Sequence, residues 1–221
     1  MLLLDYDIRR YAFAKVVARQ VYRVPALERL HVYWLAQKIR RSAAPCLTHA
    51  DNLLLRQRMQ DLPDDDLFYV IYNAFVKEVI GTAFQRRLSY SMHPKMRVHL
   101  AGTPSVSNWH RDADVTGRVD QINVWLPFTD TFDSNTLWVE SDYGKGDYQP
   151  IPVRYGQALV FDGGYLSHGT VANDTQQTRV SIDFRFAPRG DSLPPKAKAI
   201  LGRRPADLNR GQTMETLEYE Y

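Results

Sequence analysis

The sequence has a single cysteine, Cys46, among its 221 residues, so it cannot form an internal disulfide framework. Its net charge is only +3, which gives no electrostatic reason to expect nucleic acid or a membrane surface as a partner. We find no apolar run that approaches the length of a membrane span. The first residues, MLLLDYDIRR, lack the basic start, long apolar stretch and cleavage site of a signal peptide. We therefore expect a reducing, cytoplasmic setting.

Internal repeats, low-complexity stretches and Gly/Ser linkers are also missing. Hydrophobic residues make up 44% of the chain and charged residues 24%, which is ordinary for a globular protein. This length is enough for one domain with a sizeable core. We predict a single domain over residues 1–221 whose character changes near residue 90.

Residues before about 90 show helical patterns. Apolar residues follow Pro25 at helical spacing in the stretch 26–44, which ends in a basic turn. Three acids at 64–66 precede the apolar stretch 67–84, where they suit a helix start, and Gly81 is a plausible stop. A weaker helix is predicted from about Tyr6 to Val21.

Residues after about 90 alternate between short β-branched or aromatic runs and turn residues. We predict strands near 95–100, 119–127, 136–140, 157–162 and 179–187. Many short strands with such turns indicate a sandwich or a barrel. Residues 188–221 are rich in Pro and Arg and then acidic, and we treat them as an extended tail with room for one short helix.

The segment NWHRDADV carries the first chemical signal. If His110 and Asp112 lie on a strand, both side chains point to one face, where an imidazole and a carboxylate can bind a divalent metal. His168, just past a strand end and a Gly-Gly turn, is a candidate third ligand. Two His and one carboxylate leave open positions on Fe(II), as in non-heme oxygenases. A lone H-x-D pair is equally compatible with a surface His and Asp near a turn.

A second signal follows in RVSIDFRF, residues 179–186. Alternation places the apolar residues on one face and Arg179, Ser181, Asp183 and Arg185 on the other. The guanidinium of Arg179 and the hydroxyl of Ser181 can bind a carboxylate through hydrogen bonds. The alternative is the solvated face of an edge strand with an Asp183–Arg185 ion pair.

Together these motifs resemble the Fe(II)/2-oxoglutarate-dependent oxygenases. Residues from about 95 to 187 further resemble the small oxygenase-like proteins of aminoglycoside antibiotic pathways, the streptomycin-biosynthesis type, which are phytanoyl-CoA-hydroxylase-like. The resemblance implies an α+β fold with a distorted double-stranded β-helix core, a cupin-like jelly roll, over about 91–187. The helical part, about 1–90, is expected to pack on this core, and 188–221 to form the tail.

The resemblance also implies roles for individual residues. Iron would be held by His110, Asp112 and His168, and Arg179 with Ser181 would bind the distal carboxylate of 2-oxoglutarate.

Two further residues belong to the expected pocket from their strand positions. The amide of Asn123 can hydrogen-bond the co-substrate, or it can be an internally satisfied buried amide. Arg97 alternates with Val98 on the strand before the motif and can face the same pocket.

The implied activity needs Fe(II), 2-oxoglutarate as co-substrate and dioxygen. It oxidises, most simply hydroxylates, a C–H bond of a small polar metabolite and releases succinate and CO2. An aminocyclitol, an aminosugar or an amino-acid derivative in antibiotic biosynthesis is the expected substrate class. Asp112 disfavours halogenation, because related halogenases have a small residue at that position.

Other classes remain as alternatives. A cupin-type metal-dependent isomerase, or a non-catalytic jelly-roll binding protein, would share the strands but would not need the Arg179 clamp. The tripeptide at 110–112 also spells the H-R-D of protein kinases, but Gly117 replaces the metal-binding Asn of that motif, and the kinase alternative is rejected.

Overall fold

The protein was analysed as a computed structural model that describes residues 1–40, 45–85, 87–190 and 192–205. The strands are β1 (Leu2–Asp5), β2 (Leu88–Tyr90), β3 (Lys95–His99), β4 (Ile122–Pro127), β5 (Leu137–Val139), β6 (Gln149–Ile151), β7 (Gln157–Phe161), β8 (His168–Gly169) and β9 (Arg179–Pro188). The α-helices are α1 (Phe13–Val16), α2 (Leu30–Ile39), α3 (His49–Gln60), α4 (Leu67–Phe75), α5 (Gly81–Phe84), α6 (Asp112–Thr116) and α7 (Pro195–Leu201). Shorter turns are π-helical at Val17–Tyr22 and Val76–Ile80, and 3-10 helical at Leu27–Arg29 and Asp133–Asn135.

The strands form two antiparallel sheets. The large sheet has the order β1-β7-β4-β9-β2, and β3 also pairs with β9. The small sheet has the order β6-β5-β8. Non-consecutive strands are neighbours in both sheets, so the chain crosses repeatedly between distant segments. The fold is therefore a mixed helix and strand structure in which β9 is central, which contradicts the edge-strand alternative for residues 179–186.

Strand β4 shows how the layers are arranged. Ile122, Val124 and Leu126 point into a core shared with the helices, whereas Trp125 packs in a second apolar cluster with residues of the small sheet. Asn123 shares the face of Trp125 because side chains alternate along a strand. Since both faces are covered, all six residues of β4 are buried. The helices other than α6 pack on one face of the large sheet, and the small sheet packs on the other.

The helical segment Leu67–Phe84 supplies much of the main core. It is 18 residues long and, by length and composition alone, apolar enough to cross a membrane, a property that the sequence analysis missed. Phe68, Tyr72, Phe75 and Phe84 are nevertheless fully buried within the protein. Phe13, from α1, packs edge-on against Phe75 with ring centroids 5.8 Å apart. These contacts identify the segment as a core helix in this fold.

Several local predictions are confirmed and others are wrong. The five strands expected after residue 90 are present as β3, β4, β5, β7 and β9. The acid cluster does start a helix, because Asp66 accepts a hydrogen bond from the Phe68 amide at 2.8 Å. Gly81 is not a helix stop: the helix continues to Phe84 and ends where Gln85 adopts a left-handed backbone conformation (φ 52°).

The N-terminal part is also less uniformly helical than expected. Residues 2–5 form β1, which pairs with β7, and the weaker predicted helix begins only at Phe13. Helix α3 was not predicted, because its sequence HADNLLLRQRMQ is too polar to show a clear apolar stripe. The tail contains α7, and Cys46 is exposed. Residues 41–44 of the first predicted helix and 206–221 of the tail lie outside the described residues.

Candidate metal and carboxylate site

The two candidate metal-binding histidines lie side by side on neighbouring chain segments. His110 and His168 form an antiparallel bridge in which each backbone N–H donates to the other carbonyl at 3.0 Å. Their side chains therefore share one side of the bridge, with ring centroids 4.5 Å apart. The strand condition considered for the H-x-D motif is met only at His110, because Asp112 is the first residue of α6.

The Gly-Gly turn before His168 positions Asp112. The backbone N–H of Asp112 donates to Gly163 at 2.9 Å, and that of Ala113 donates to Gly164 at 3.1 Å. A Cβ atom at Gly163 would lie 2.5 Å from the Asn123 side chain, so a larger residue there would have to displace the amide that binds Asp112. Candidate ligand atoms of His110, Asp112 and His168 consequently all lie within 4.8 Å of one another.

Backbone carbonyls orient both imidazole rings. The Nδ1 atoms of His110 and His168 lie 2.7 Å from the Asn108 carbonyl and 2.9 Å from the Leu166 carbonyl. Because a carbonyl only accepts, Nδ1 carries the proton in each ring. The Nε2 lone pairs then remain available to a metal, which is the usual arrangement of metal-binding histidines. Nε2 of His110 lies 3.4 Å from Oδ1 of Asp112.

The Asp112 carboxylate is buried and accepts several short hydrogen bonds. Asn123 donates to Oδ2 through Nδ2 at 2.5 Å, and Arg185 contacts both carboxylate oxygens. Burial alone raises the pKa of Asp112, but His110, Arg185 and Asn123 outweigh it and hold the pKa well below its usual range. Burial lowers the pKa of His168, so that ring is neutral near pH 7. The hydrogen bond with Asp112 is the main cause that raises the pKa of His110, so a metal that binds this ring competes with its proton.

Arg179 and Ser181 are deeply buried, at 1% and 0% exposure. Nη1 of Arg179 donates to the carbonyls of Asn135 at 2.9 Å and Thr136 at 3.1 Å. Its Nε atom and the Ser181 hydroxyl are buried without a hydrogen-bond partner. No described carboxylate forms an ion pair with Arg179, and burial, followed by the charge of Arg97, lowers its pKa to about 9.

Asn123 and Arg97 already have partners within the protein. Asn123 binds Asp112, and its Oδ1 atom is buried with no partner. Arg97 donates from Nε to Asp183 at 2.9 Å. Both side chains face the expected pocket, but their roles toward a co-substrate stay predictions. The Asp183–Arg185 pair considered above is not formed, because each residue pairs elsewhere.

One cavity between the sheets joins these groups. Its cavity volume is about 30 Å³, and it is partly open to solvent. Its lining includes Arg97, Ser107, His110, Asp112, Asn123, Trp125, Leu137, Phe161, His168, Arg179, Asp183 and Arg185. Ser181 is outside this lining but lies between Arg179 and Asp183 on the same face of β9.

Sequence reasoning overlooked two residues of the site. Arg185 was placed on the correct face but was not connected to Asp112. His99 belongs to no motif of the sequence, yet it is fully buried, faces Arg179 across the β3–β9 register, and has an Nδ1 atom without a partner. Burial, followed by the charge of Arg179, lowers the pKa of His99 to about 3. Its position two residues after Arg97 on the same strand was the signal that could have identified it.

Comparisons with known proteins found a sequence relative and a solved structure of similar fold. No protein-family model matches the sequence. The streptomycin biosynthesis protein StrG from Streptomyces griseus is 34% identical over 161 residues, which cover 70% of this chain and 77% of StrG. The structure of AviO1 from Streptomyces viridochromogenes Tue57 is 15% identical, with a TM-score of 0.52 over 87% of this chain and 90% of AviO1. CytC3 with Fe(II) and alpha-ketoglutarate is 15% identical, with a TM-score of 0.46 over 88% and 75% of the two chains. The likeness to AviO1 is one of fold.

Proposed function

The chain belongs to the family of the streptomycin biosynthesis protein StrG, and from this premise we propose that it is an Fe(II)- and 2-oxoglutarate-dependent dioxygenase. The proposed reaction hydroxylates a C–H bond of a small polar metabolite in antibiotic biosynthesis and releases succinate and CO2. An aminocyclitol, an aminosugar or an amino-acid derivative is the proposed substrate class. We further propose a single cytoplasmic domain with a jelly-roll core of the phytanoyl-CoA-hydroxylase-like type.

The observation that carries this proposal is the unpaired buried cation at Arg179. A buried charge is costly unless it is paired and hydrogen-bonded. The free Nε of Arg179 and the free hydroxyl of Ser181 are donors on one face of β9, and Arg179 lines the same cavity as the His-Asp-His cluster. The distal carboxylate of 2-oxoglutarate would neutralise this charge and accept from both donors.

The donor set also fits Fe(II). Two neutral imidazole Nε2 atoms and one carboxylate are the ligands typical of non-heme Fe(II) oxygenases. Iron with 2-oxoglutarate and dioxygen supplies the oxidising chemistry when bound. The residues of this chain would hold the iron and shape its surroundings. Backbone carbonyls orient the rings of His110 and His168. The side chains of Trp125, Leu137 and Phe161 form an apolar wall of the cavity that would limit the access of water.

The same observation weighs against the alternative functions. A cupin-type isomerase or a non-catalytic binding protein has no need for a buried guanidinium beside the metal ligands. Arg179 is nearly inaccessible to solvent, and the Asn135 and Thr136 carbonyls fix its guanidinium in the cavity wall. We therefore favour the oxygenase over both alternatives.

The test needs no substrate. Fe(II) and then 2-oxoglutarate are added to the purified protein without oxygen, and the weak visible absorption band of their complex is recorded. We expect a band in the wild type that is lost in Asp112→Ala and appears only at much higher 2-oxoglutarate in Arg179→Ala. Asp65→Ala and Arg154→Ala, at exposed positions, are the matched controls. Bound iron without a band would favour the cupin-type alternative.

A further inference from the structure

A second cavity adjoins the candidate site and is lined mainly by cations. Its described lining consists of Arg56, Gln60, Lys95, Met96 and Arg97 and contains no acidic residue. Its cavity volume is about 270 Å³, and it is open to solvent. Arg97 also lines the cavity of the His-Asp-His cluster, so one guanidinium forms a wall of both spaces.

The fold brings these cations together from two elements. Helix α3 packs along β3, and Arg56 and Gln60 lie one helical turn apart on the side facing that strand. Lys95 and Arg97 are two residues apart on β3, so they share one face of the strand. We call the surface formed by Arg56, Lys95 and Arg97 the basic groove.

The positive charge of the basic groove is only partly compensated, through the ion pair of Arg97 with Asp183. Arg56 and Lys95 form no hydrogen bond or ion pair with any residue in the described ranges, and Nε of Arg56 is buried without an acceptor. Arg97 uses Nε for Asp183, which leaves its terminal nitrogens for another acceptor. Partial burial, followed by the charge of Arg185, lowers the pKa of the Lys95 ammonium, although the carboxylates of Asp183 and Asp112 act in the opposite direction. An anion here would relieve both the crowding of positive charge and the unmet donor.

We propose that the basic groove binds a phosphate group on the substrate, so that the oxygenase acts on a phosphorylated small metabolite. This inference rests on the proposed function and narrows its substrate class. A phosphate monoester carries nearly two negative charges and three acceptor oxygens, which suit three cations that converge from different elements. The carboxylate of 2-oxoglutarate has a separate, deeply buried partner in Arg179. The shared wall at Arg97 would place the rest of the substrate toward the His-Asp-His cluster.

Calorimetric titration tests the proposal with defined probes. Glucose 6-phosphate and myo-inositol 1-phosphate are compared with glucose, myo-inositol and inorganic phosphate, on the protein as purified and on protein loaded anaerobically with Fe(II) and 2-oxoglutarate. We expect at least one monoester to bind more tightly than inorganic phosphate and its unphosphorylated counterpart. Arg56→Gln and Lys95→Gln should each weaken that binding about tenfold or more, because each removes a charge-assisted contact.

Control variants and a second readout distinguish a failure of the phosphate proposal from a failure of the proposed function. Lys77→Gln removes the same charge from an exposed position outside the groove and should bind like the wild type. The melting temperature and the visible band with Fe(II) and 2-oxoglutarate should be unchanged in Arg56→Gln and Lys95→Gln. Absence of the band in the wild type would defeat the proposed function, whereas phosphate binding is measured separately on the protein as purified.

Two results would overturn the inference itself. If inorganic phosphate bound as tightly as either monoester, the groove would be a site for free anions rather than for a substrate phosphate. If neither monoester bound, or if binding were the same in Arg56→Gln, Lys95→Gln and wild type, the basic groove would have no role in recognition.

Discussion

Arg185 holds both carboxylate oxygens of Asp112, with Nη2 2.6 Å from Oδ1 and Nε 2.6 Å from Oδ2. A planar guanidinium fork fixes the plane of a carboxylate as well as its position. Asn123 adds a third donor to the same group. The carboxylate oxygens have further lone pairs, so these contacts leave Asp112 able to bind a metal together with His110 and His168. Arg185 is therefore a positioning residue for the candidate metal ligand.

Loss of this fork should weaken metal binding. We expect Arg185→Gln to lower the affinity for Co(II), used as an air-stable substitute for Fe(II), by about 10- to 100-fold, because groups that orient metal ligands contribute on that scale. Arg185→Lys should lie between this variant and the wild type, since it keeps the charge but not the fork. Calorimetry with Co(II) measures both. Equal or tighter binding in Arg185→Gln would show that Arg185 only neutralises Asp112.

Much of the candidate site could be predicted because its residues follow short local sequence patterns. The two-residue period of residues 179–186 correctly placed Arg179, Ser181 and Arg185 on one face. The Arg185–Asp112 pair could not be predicted, because its members are 73 residues apart and Asp183 was a nearer candidate partner. Local alternation determines which face a side chain takes, but pairing across the cavity depends on the three-dimensional arrangement.

The secondary structure likewise divides into elements that local patterns predict and elements that depend on tertiary contacts. Long β-branched runs such as β4 and β9 were predicted because burial imposes their pattern. The missed strands β1, β2, β6 and β8 have two to four residues, too few for a period to show. Helix α3 was missed because its buried face includes Asp51 and Asn52 beside Leu55 and Met59. Such polar burial is stable only with tertiary partners, which a single sequence does not reveal.

The carboxylate clamp gives a second prediction. Arg179→Gln should weaken 2-oxoglutarate binding by about 100-fold, because it removes the charge that a buried carboxylate needs, whereas Ser181→Ala should cost only about tenfold as a neutral hydrogen bond. Anaerobic titration of the visible band in the presence of Fe(II) measures both. If Arg179→Gln bound 2-oxoglutarate normally, Arg97 or Arg185 would become the candidate clamp.

Buried contacts also connect the C-terminal segment to the site. Arg204 pairs with Asp162 through Nε at 2.5 Å and Nη2 at 2.6 Å, and both side chains are almost fully buried. Tyr143 donates to the same carboxylate at 3.0 Å. Asp162 directly precedes the Gly163–Gly164 turn that binds the backbone of Asp112. The ion pair therefore anchors the turn that positions Asp112, the candidate carboxylate ligand.

Breaking this pair should destabilise the protein strongly. Removing one partner of a buried ion pair leaves an uncompensated charge and typically costs about 3–5 kcal/mol. We expect Arg204→Met to lose that much free energy of unfolding in urea at pH 7 and also to bind Co(II) more weakly. Arg203→Met, at the exposed neighbouring position, is the control and should change little. A wild-type urea midpoint in Arg204→Met would contradict the anchoring role.

Asp51 joins α2 to α3 and should make stability depend on pH. It accepts from Nε1 of Trp34 at 2.8 Å and from Nζ of Lys38 at 2.8 Å, and its Oδ2 also caps α3 through the Thr48 N–H. Burial alone raises the pKa of Asp51, but Lys38, Trp34 and Thr48 together lower it below the usual value. The unfolded state then binds the proton more tightly than the folded state. Its contribution to stability is therefore complete above the unfolded pKa, about 3.9, and is lost as the pH falls through the lower folded pKa.

Asp51→Asn tests this linkage. The variant should lose about 1–3 kcal/mol at pH 7, because the amide cannot replace the charged contact with Lys38. Its free energy of unfolding should also fall less steeply than that of the wild type as the pH drops below about 4, since Asp51 no longer titrates. Urea titrations from pH 7 to pH 3 measure both effects, with Asp65→Asn as an exposed control. Parallel pH profiles for wild type and Asp51→Asn would mean that the pKa of the Asp51 carboxylate is the same in the folded and unfolded states. The negative charge of Asp51 would then add nothing to the stability that its contacts with Trp34 and Lys38 provide.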